Sequence, residues 1–378
     1  MRQQPKPVPE AYAESLESSE QRRAFRRRVF QWFDKHQREL PWRQTDDPYC
    51  VWVSEIMLQQ TQVVTVIPYF EKFLKRFPDV YALAAADEAT VLRYWEGLGY
   101  YRRARQMHRA AQVVVEEHQG ILPRQSQTLQ ALPGIGRYTA GAILSIAHDQ
   151  REPILEANTI RLLARLIALD EPTTTAASQA TLWDVAEELL PRKRVGAFNQ
   201  GLMELGSLVC TPRNPECTDC PVARHCRTFG EGLQEAIPVP KKKTQYEAID
   251  EAAVAIWHAG RVLVRQCGPD ERWAGLWDFP RFPVTDVGGA KRRREVIRQT
   301  QDMTGVELAQ LRQLSVLKHA VTRYRISLTC YDAQATTGPA GGSSANQQWL
   351  TVQELENIPL SVTGRKMAGL LAGVDDKA

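Results

Sequence analysis

Long apolar runs are missing from this chain. No stretch of eighteen apolar residues occurs, so no ordinary membrane-spanning helix is expected. The opening MRQQPKPVPEAYAESLESSEQ has no apolar signal region, and residues 1–20 read as a flexible, proline-containing tail. Neither sign of charge is in large excess: 48 Lys and Arg against 44 Asp and Glu leave a net charge of +4. That permits a nucleic-acid partner without demanding one. Cysteines number seven, an odd total without a secretion signal. This argues against a disulfide framework and points to the cytosol, or the nucleoid within it. Repeats of solenoid length are absent, and no strand-like alternation competes between about residues 21 and 205.

What is present is ordinary in bulk and informative in order. The 378 residues, 43% hydrophobic and 24% charged, suffice for two or three domains with cores of their own. Helical spacing runs from about residue 21 to 205. RRAFRRRVFQWFDKH puts Phe25, Val29, Trp32 and Phe33 on one face, and Pro48 after Asp46 and Asp47 marks a helix start. SQTLQALPGIGRYTAGAILSIA, residues 126–147, reads as helix, sharp turn and helix. Beyond a linker at 229–246 the period changes. AAVAIW, RVLVRQ and RISLTCYDA read as strands, GGAKRRREVIRQTQDMTG as a helix, and ATTGPAGGSSANQQ as a flexible loop, with at least one short helix in the last forty residues. The pattern predicts an all-α region over 21–228 and a separate α+β domain over 247–374. Basic clusters at Arg22–Arg28, Arg102–Arg105, Arg192–Arg194 and Lys241–Lys243 favour phosphate contacts when taken together.

Three features carry chemistry. Cys210, Cys217, Cys220 and Cys226, spaced C-x6-C-x2-C-x5-C inside 206–228, could wrap a zinc ion or a four-iron, four-sulfur cluster, or be four buried cysteines with no ligand. Gly134 and Gly136 flank Ile135 just before a helix that opens near Arg137, leaving free N–H groups that suit a phosphate. Glu55 is the lone acid of an otherwise apolar helix in VWVSEIMLQQTQ. In an apolar pocket its pKa would rise, and it would serve as a general acid. Glu156 in EPILEANTIRLL is either an acid favouring its own helix dipole or a carboxylate aimed into a cleft, with Asn158 as a plausible cap.

LPWR at 40–43, SEIMLQQTQV at 54–63, GLGYYRRAR at 97–105, LPGIGRYTAGAI at 132–143 and the four cysteines together resemble the MutY-type adenine DNA glycosylases of the helix-hairpin-helix superfamily. AGLWDFP at 274–280 and WLTVQELENIPL at 349–360 extend the resemblance to about residues 21–374. It implies an all-α helix-hairpin-helix glycosylase region with a four-cysteine iron–sulfur loop and a C-terminal α+β Nudix-like domain. The implied reaction is hydrolysis of the N-glycosidic bond of adenine mispaired with 8-oxoguanine or guanine in duplex DNA, after the base is flipped out. The implied cofactors are a 4Fe–4S cluster on the four cysteines and a monovalent cation at the hairpin carbonyls.

By the same resemblance Glu55 protonates adenine at N7, and a second carboxylate steadies the positive sugar. The family carries Asp-Gly-Asn there; this chain has Glu156-Ala157-Asn158, one methylene longer. Tyr138 orients the pocket. It has no amine for the Schiff base that a lysine forms in the endonuclease III branch, so a monofunctional glycosylase is expected. Arg43, Gln60, Thr61, Leu98, Tyr100, Gly134, Gly136 and Arg137 fall among the implied DNA contacts. In the C-terminal domain only Glu295 remains of the Nudix acids, so nucleotide hydrolysis is not expected. The family's Phe-Ser-His lesion reader is replaced by Val321, Thr322 and Arg323. A monomer with no membrane partner is expected. The alternatives are a mismatch-binding member with little turnover and a glycosylase of the same fold acting on another mispaired base.

Overall fold

Apolar spacing and side-chain caps set the helices of the N-terminal part. The computed structural model describes residue 16 and residues 18–240, 245–285, 288–336 and 346–373. Most of the expected tail at 1–20, the cluster Lys241–Lys243 and most of the glycine-rich loop lie outside the described residues. Helix α1 (Ser19–His36) opens on a capping box between Ser18 and Gln21 and buries Phe25, Val29 and Phe33. There follow α2 (Pro48–Leu58), α3 (Val63–Arg76), α4 (Val80–Ala84), α5 (Glu88–Trp95), α6 (Arg102–His118), α7 (Ser126–Ala131), α8 (Arg137–His148), α9 (Ala157–Leu166), α10 (Ala176–Leu189), α11 (Val195–Leu208) and α12 (Arg227–Gly230). Asp47, Asp79, Asp87 and Thr175 each accept a backbone N–H at the start of a helix. No helix among the described residues is long and apolar enough to cross a membrane.

Contacts group the chain into two units: Met1–Ala85 with Gln106–Lys242, and Ala86–Arg105 with Lys243–Ala378. In the first, α2 is buried on nearly every side and packs on α8. Gly206 in α11 lets that helix press on the first turn of α9, where a Cβ would stand 2.8 Å from the carbonyl oxygen of Asn158.

The cysteine loop does not form the expected metal centre. Among the described residues no group of three or more His, Cys, Asp or Glu side chains is placed to hold a metal ion. All four cysteines are free thiols lining one cavity of about 20 Å³. Burial pushes Cys220 and Cys226 up to about 12. Two buried arginines of α9 fasten the loop instead. Arg165 donates to the Cys210 sulfur at 3.3 Å and to the carbonyls of Thr211, Gln234 and Ile237, while Cys226 Sγ donates to the Arg165 carbonyl. Arg161 donates to the carbonyls of Gly206 and Cys210. The expected iron–sulfur loop and 4Fe–4S cofactor are corrected accordingly, and no metal is assigned to the hairpin.

The second unit is β-rich. Among the described residues its strands are β1 (Glu247–His258), β2 (Arg261–Gln266), β3 (Trp277–Asp278), β4 (Arg281–Pro283), β5 (Leu308–Val321), β6 (Tyr324–Ala335) and β7 (Gln347–Leu350). They form one sheet in the order β3-β2-β1-β6-β5, with β4 beside β1 and β7 beside β2. β1 and β6 run parallel over a long register. Successive β1 residues serve opposite faces, as the pleat requires. Ala253 and Ala255 join Phe279, Leu328 and Met367 of α14 (Val362–Leu371), while Ala252, Val254 and Ile256 join Phe282 and Val296 of α13 (Gly289–Thr304). The predicted helix therefore stands, closed by Gly305 at φ 72°.

Candidate active site

Glu55 sits where its helix is most apolar, and it is only 4% exposed. Its carboxyl accepts a short hydrogen bond from the hydroxyl of Tyr138, the second residue of α8. Burial pushes Glu55 up to about 7; the Tyr138 hydrogen bond and Arg43 hold it back, and the charge of Glu156 raises it. Burial likewise holds the Tyr138 phenol well above its ordinary value. Near neutrality Glu55 is thus poised to carry a proton it can give up.

Glu156 is built differently. It is the N-cap of α9, with Oε1 accepting from Thr159 N at 2.8 Å while Thr159 Oγ1 accepts from Glu156 N. Oε2 accepts from Asn158 Nδ2 at 3.2 Å. Glu156 caps the helix, not Asn158 as expected, and Glu156 also lines the same cavity as Glu55. Burial raises its pKa, opposed by the donors on Asn158 and Thr159. Asn158 is fixed in turn by Arg161, whose Nη2 donates to Asn158 Oδ1 at 2.8 Å.

The cavity has a volume of about 460 Å³, within the range of small-ligand sites. Apolar Val51, Leu58, Leu155 and Met203 supply much of its wall. Arg43, Gln60 and Thr61 also line it. Arg43, however, is spent inside the protein, donating to Gln200, Glu204 and the Arg38 carbonyl. Glu204 is 1% exposed. Burial alone would raise it, but hydrogen bonds from Arg38 and Arg43 outweigh that and bring it down to about 2. Glu204, Gln200, Arg38 and Arg161 were missed by sequence reasoning. Glu204 offered the same sign as Glu55, a single acid on an apolar helix.

Other expected site residues lie elsewhere. In the hairpin Gly134 has φ 78°, and a Cβ there would meet Gln106 at 2.8 Å. Gly136 is extended, with open space around it, so only the first glycine needs a left-handed backbone. The exposed Arg137 stacks on Trp183 with 3.9 Å to the ring centre. In the second unit Leu98 is buried at 6% exposure, whereas Tyr100 is 54% exposed at φ 48°. Val321 and Thr322, at the β5–β6 turn, line a cavity of about 570 Å³ with Tyr100, Trp273 and His319. Arg323 is not in that lining; it is exposed beside the Tyr324 ring and Glu247.

A hairpin-bearing helical unit with two carboxyl groups in one cavity defines a base-excision glycosylase. Residues 53–188 match the family of HhH-GPD superfamily base excision DNA repair proteins, and residues 252–368 match the NUDIX domain family. The chain is 33% identical to the adenine DNA glycosylase of Rattus norvegicus, across 91% of this chain and 77% of that protein. It is 38% identical to the one of Buchnera aphidicola from Schizaphis graminum, across 68% and 75%. Among solved structures a thermostable thymine-DNA glycosylase is similar, with a TM-score of 0.51 and 27% identity over 55% of this chain and 96% of that one. The chain belongs to the adenine DNA glycosylase family.

Proposed function

We propose that this chain hydrolyses the N-glycosidic bond of adenine mispaired with 8-oxoguanine or guanine in duplex DNA. The observation that carries this reading is the pair of buried carboxyl groups lining one cavity, each held by different donors. Glu55 stands in an apolar wall with a hydroxyl donor and favours its protonated form. Burial raises Glu156 as well, but N–H donors from Asn158 and Thr159 oppose that rise and hold its oxygens in place, which suits the carboxylate role.

The chemistry follows from that difference. Neutral adenine is a poor leaving group. Glu55 gives its proton to N7 of the flipped base, the glycosidic electrons pass to the protonated ring, and positive charge grows on the sugar. Glu156 stabilises that charge, and water adds to the sugar and gives its proton back to the Glu55 carboxylate, which completes hydrolysis. Capping α9 ties the position of Glu156 to the helix itself. Tyr138 offers no amine, so strand cleavage through a Schiff base is not part of the reaction. Gln60, Thr61, Tyr100 and the hairpin around Gly134 are assigned to duplex contacts, and Val321 and Thr322 to the base opposite adenine.

The test is base release under single turnover from duplexes holding A opposite 8-oxoguanine, A opposite G, and T opposite G. Release of adenine from the first two, abolished by Glu55→Gln with duplex binding retained, is the expected result. Release of thymine, or normal adenine release by Glu55→Gln, overturns the reading.

A further inference from the structure

The segment Ala86–Arg105 lies inside the span matched by the glycosylase family, yet it groups with the C-terminal unit. Its anchor is Glu96, just after α5. Arg365 of α14 grips both oxygens of this carboxylate, Nε to Oε1 at 2.6 Å and Nη2 to Oε2 at 3.0 Å. The Glu96 side chain is 8% exposed, and Leu360 N also donates to it. A two-pronged guanidinium–carboxylate pair fixes geometry as well as distance. Arg365 is itself held, donating through Nη1 to the Leu355 carbonyl and through Nη2 to that of Ile358. Arg93 adds a bond to the Glu356 carbonyl at 2.7 Å.

The next four residues are the Gly97–Tyr100 loop, in which Gly97, Gly99 and Tyr100 all have positive φ. The glycines take this region freely, but Tyr100 carries a side chain and holds it only where its surroundings over-determine it. Here Trp95 donates to the Gly99 carbonyl, Arg103 donates to the carbonyls of Leu98 and Gly99, and the Tyr101 hydroxyl accepts from Gly97 N. The exposed Tyr100 ring thereby faces the same cavity as Trp273 and Thr322.

We propose that Glu96 and Arg365 are positioning residues that make the Gly97–Tyr100 loop part of the C-terminal unit. Tyr100, Trp273 and the Val321–Thr322 turn then meet the base opposite adenine as one preassembled surface. The lesion-reading unit carries the exposed tyrosine itself, and selectivity for 8-oxoguanine over guanine depends on the clamp. This rests on the assignment of Tyr100 and Val321–Thr322 to the mispair.

The test uses the full chain and two readouts. Arg365→Gln also frees the carbonyls of Leu355 and Ile358, so Glu96→Gln, which keeps those bonds, isolates the clamp. Hydrogen exchange of peptides covering residues 94–103 should quicken by about tenfold in Glu96→Gln, the effect of losing one charge-assisted bond, while peptides across α8 and β1 stay unchanged. Under single turnover the rate ratio of A:8-oxoguanine to A:G should fall several-fold, with Glu96→Asp recovering part of it. Unchanged exchange at 94–103 overturns the clamp. Quickened exchange with an unchanged rate ratio overturns its role in selectivity. If the unaltered chain shows no preference for 8-oxoguanine, the lesion assignment fails, and the exchange result still decides the clamp.

Discussion

Replacing Glu55 with glutamine removes a group whose burial works against folding as pH rises. The carboxyl moves from its ordinary value of 4.5 in the unfolded chain to about 7 in the fold. Below 4.5 it is protonated in both states and contributes no penalty. Between 4.5 and 7 the unfolded chain ionises first, so the folded state loses stability as pH rises. Above 7 the full penalty stands, about 3 kcal/mol at roughly 1.4 kcal/mol for each tenfold. Glutamine keeps an oxygen to accept from Tyr138 and has no charge to desolvate. Glu55→Gln should therefore gain stability over the parent with pH, by about 2–3 kcal/mol between pH 5 and pH 8.5. The assay is urea unfolding followed by tryptophan fluorescence at both pH values. A difference between variant and parent that does not change with pH would refute the argument that the Glu55 carboxyl is held protonated by its apolar wall.

Tyr138→Phe removes a hydrogen bond that holds Glu55 down, so the alkaline limb of the single-turnover excision profile should move to higher pH; an unmoved or lowered limb contradicts the assigned contact. Glu156→Ala should lose nearly all excision and about 1 kcal/mol of stability through the missing cap, whereas Glu156→Asp should retain or raise the rate; kinetics paired with thermal melts separate the two effects. Arg161→Met frees Asn158 to turn its amide, and excision should fall about tenfold or more, in keeping with small misplacements of a catalytic group. Borohydride should trap no covalent adduct with cleaved DNA, since Tyr138 has no amine; a trapped adduct points to an amine acting elsewhere.

Most helices were legible because their signals are local. Asp47 before Pro48 caps α2, Gly305 closes α13, and the apolar face of α1 is written in Phe25, Val29 and Phe33. Glu55 was legible for the same reason, as one acid among apolar neighbours. The long strand β5 was not, because leucines 308, 311, 314 and 317 recur every third residue and imitate a helix. Register shifts at Leu308/Gln310 and Gln313/Ser315 explain the spacing. With the second shift between them, Leu311 packs on one face of the sheet and Leu317 on the other, although six residues would otherwise return to the same face. β3 and β4, of two and three residues, carry too little pattern to read. The Arg38–Arg43–Glu204 cluster joins residues some 160 positions apart, and spacing cannot announce it. The cysteine spacing did announce something, a metal centre, where the fold instead fastens the loop through Arg161 and Arg165.

The central claim is that one buried carboxyl donates a proton while a second, hydrogen-bonded one faces the charged sugar. The most direct measurement is the rate of adenine release from an A:8-oxoguanine duplex under single turnover, followed from pH 5 to pH 9. A one-proton decline centred near the Glu55 value of about 7 is the expected result. A rate that is flat or rises through that range contradicts it.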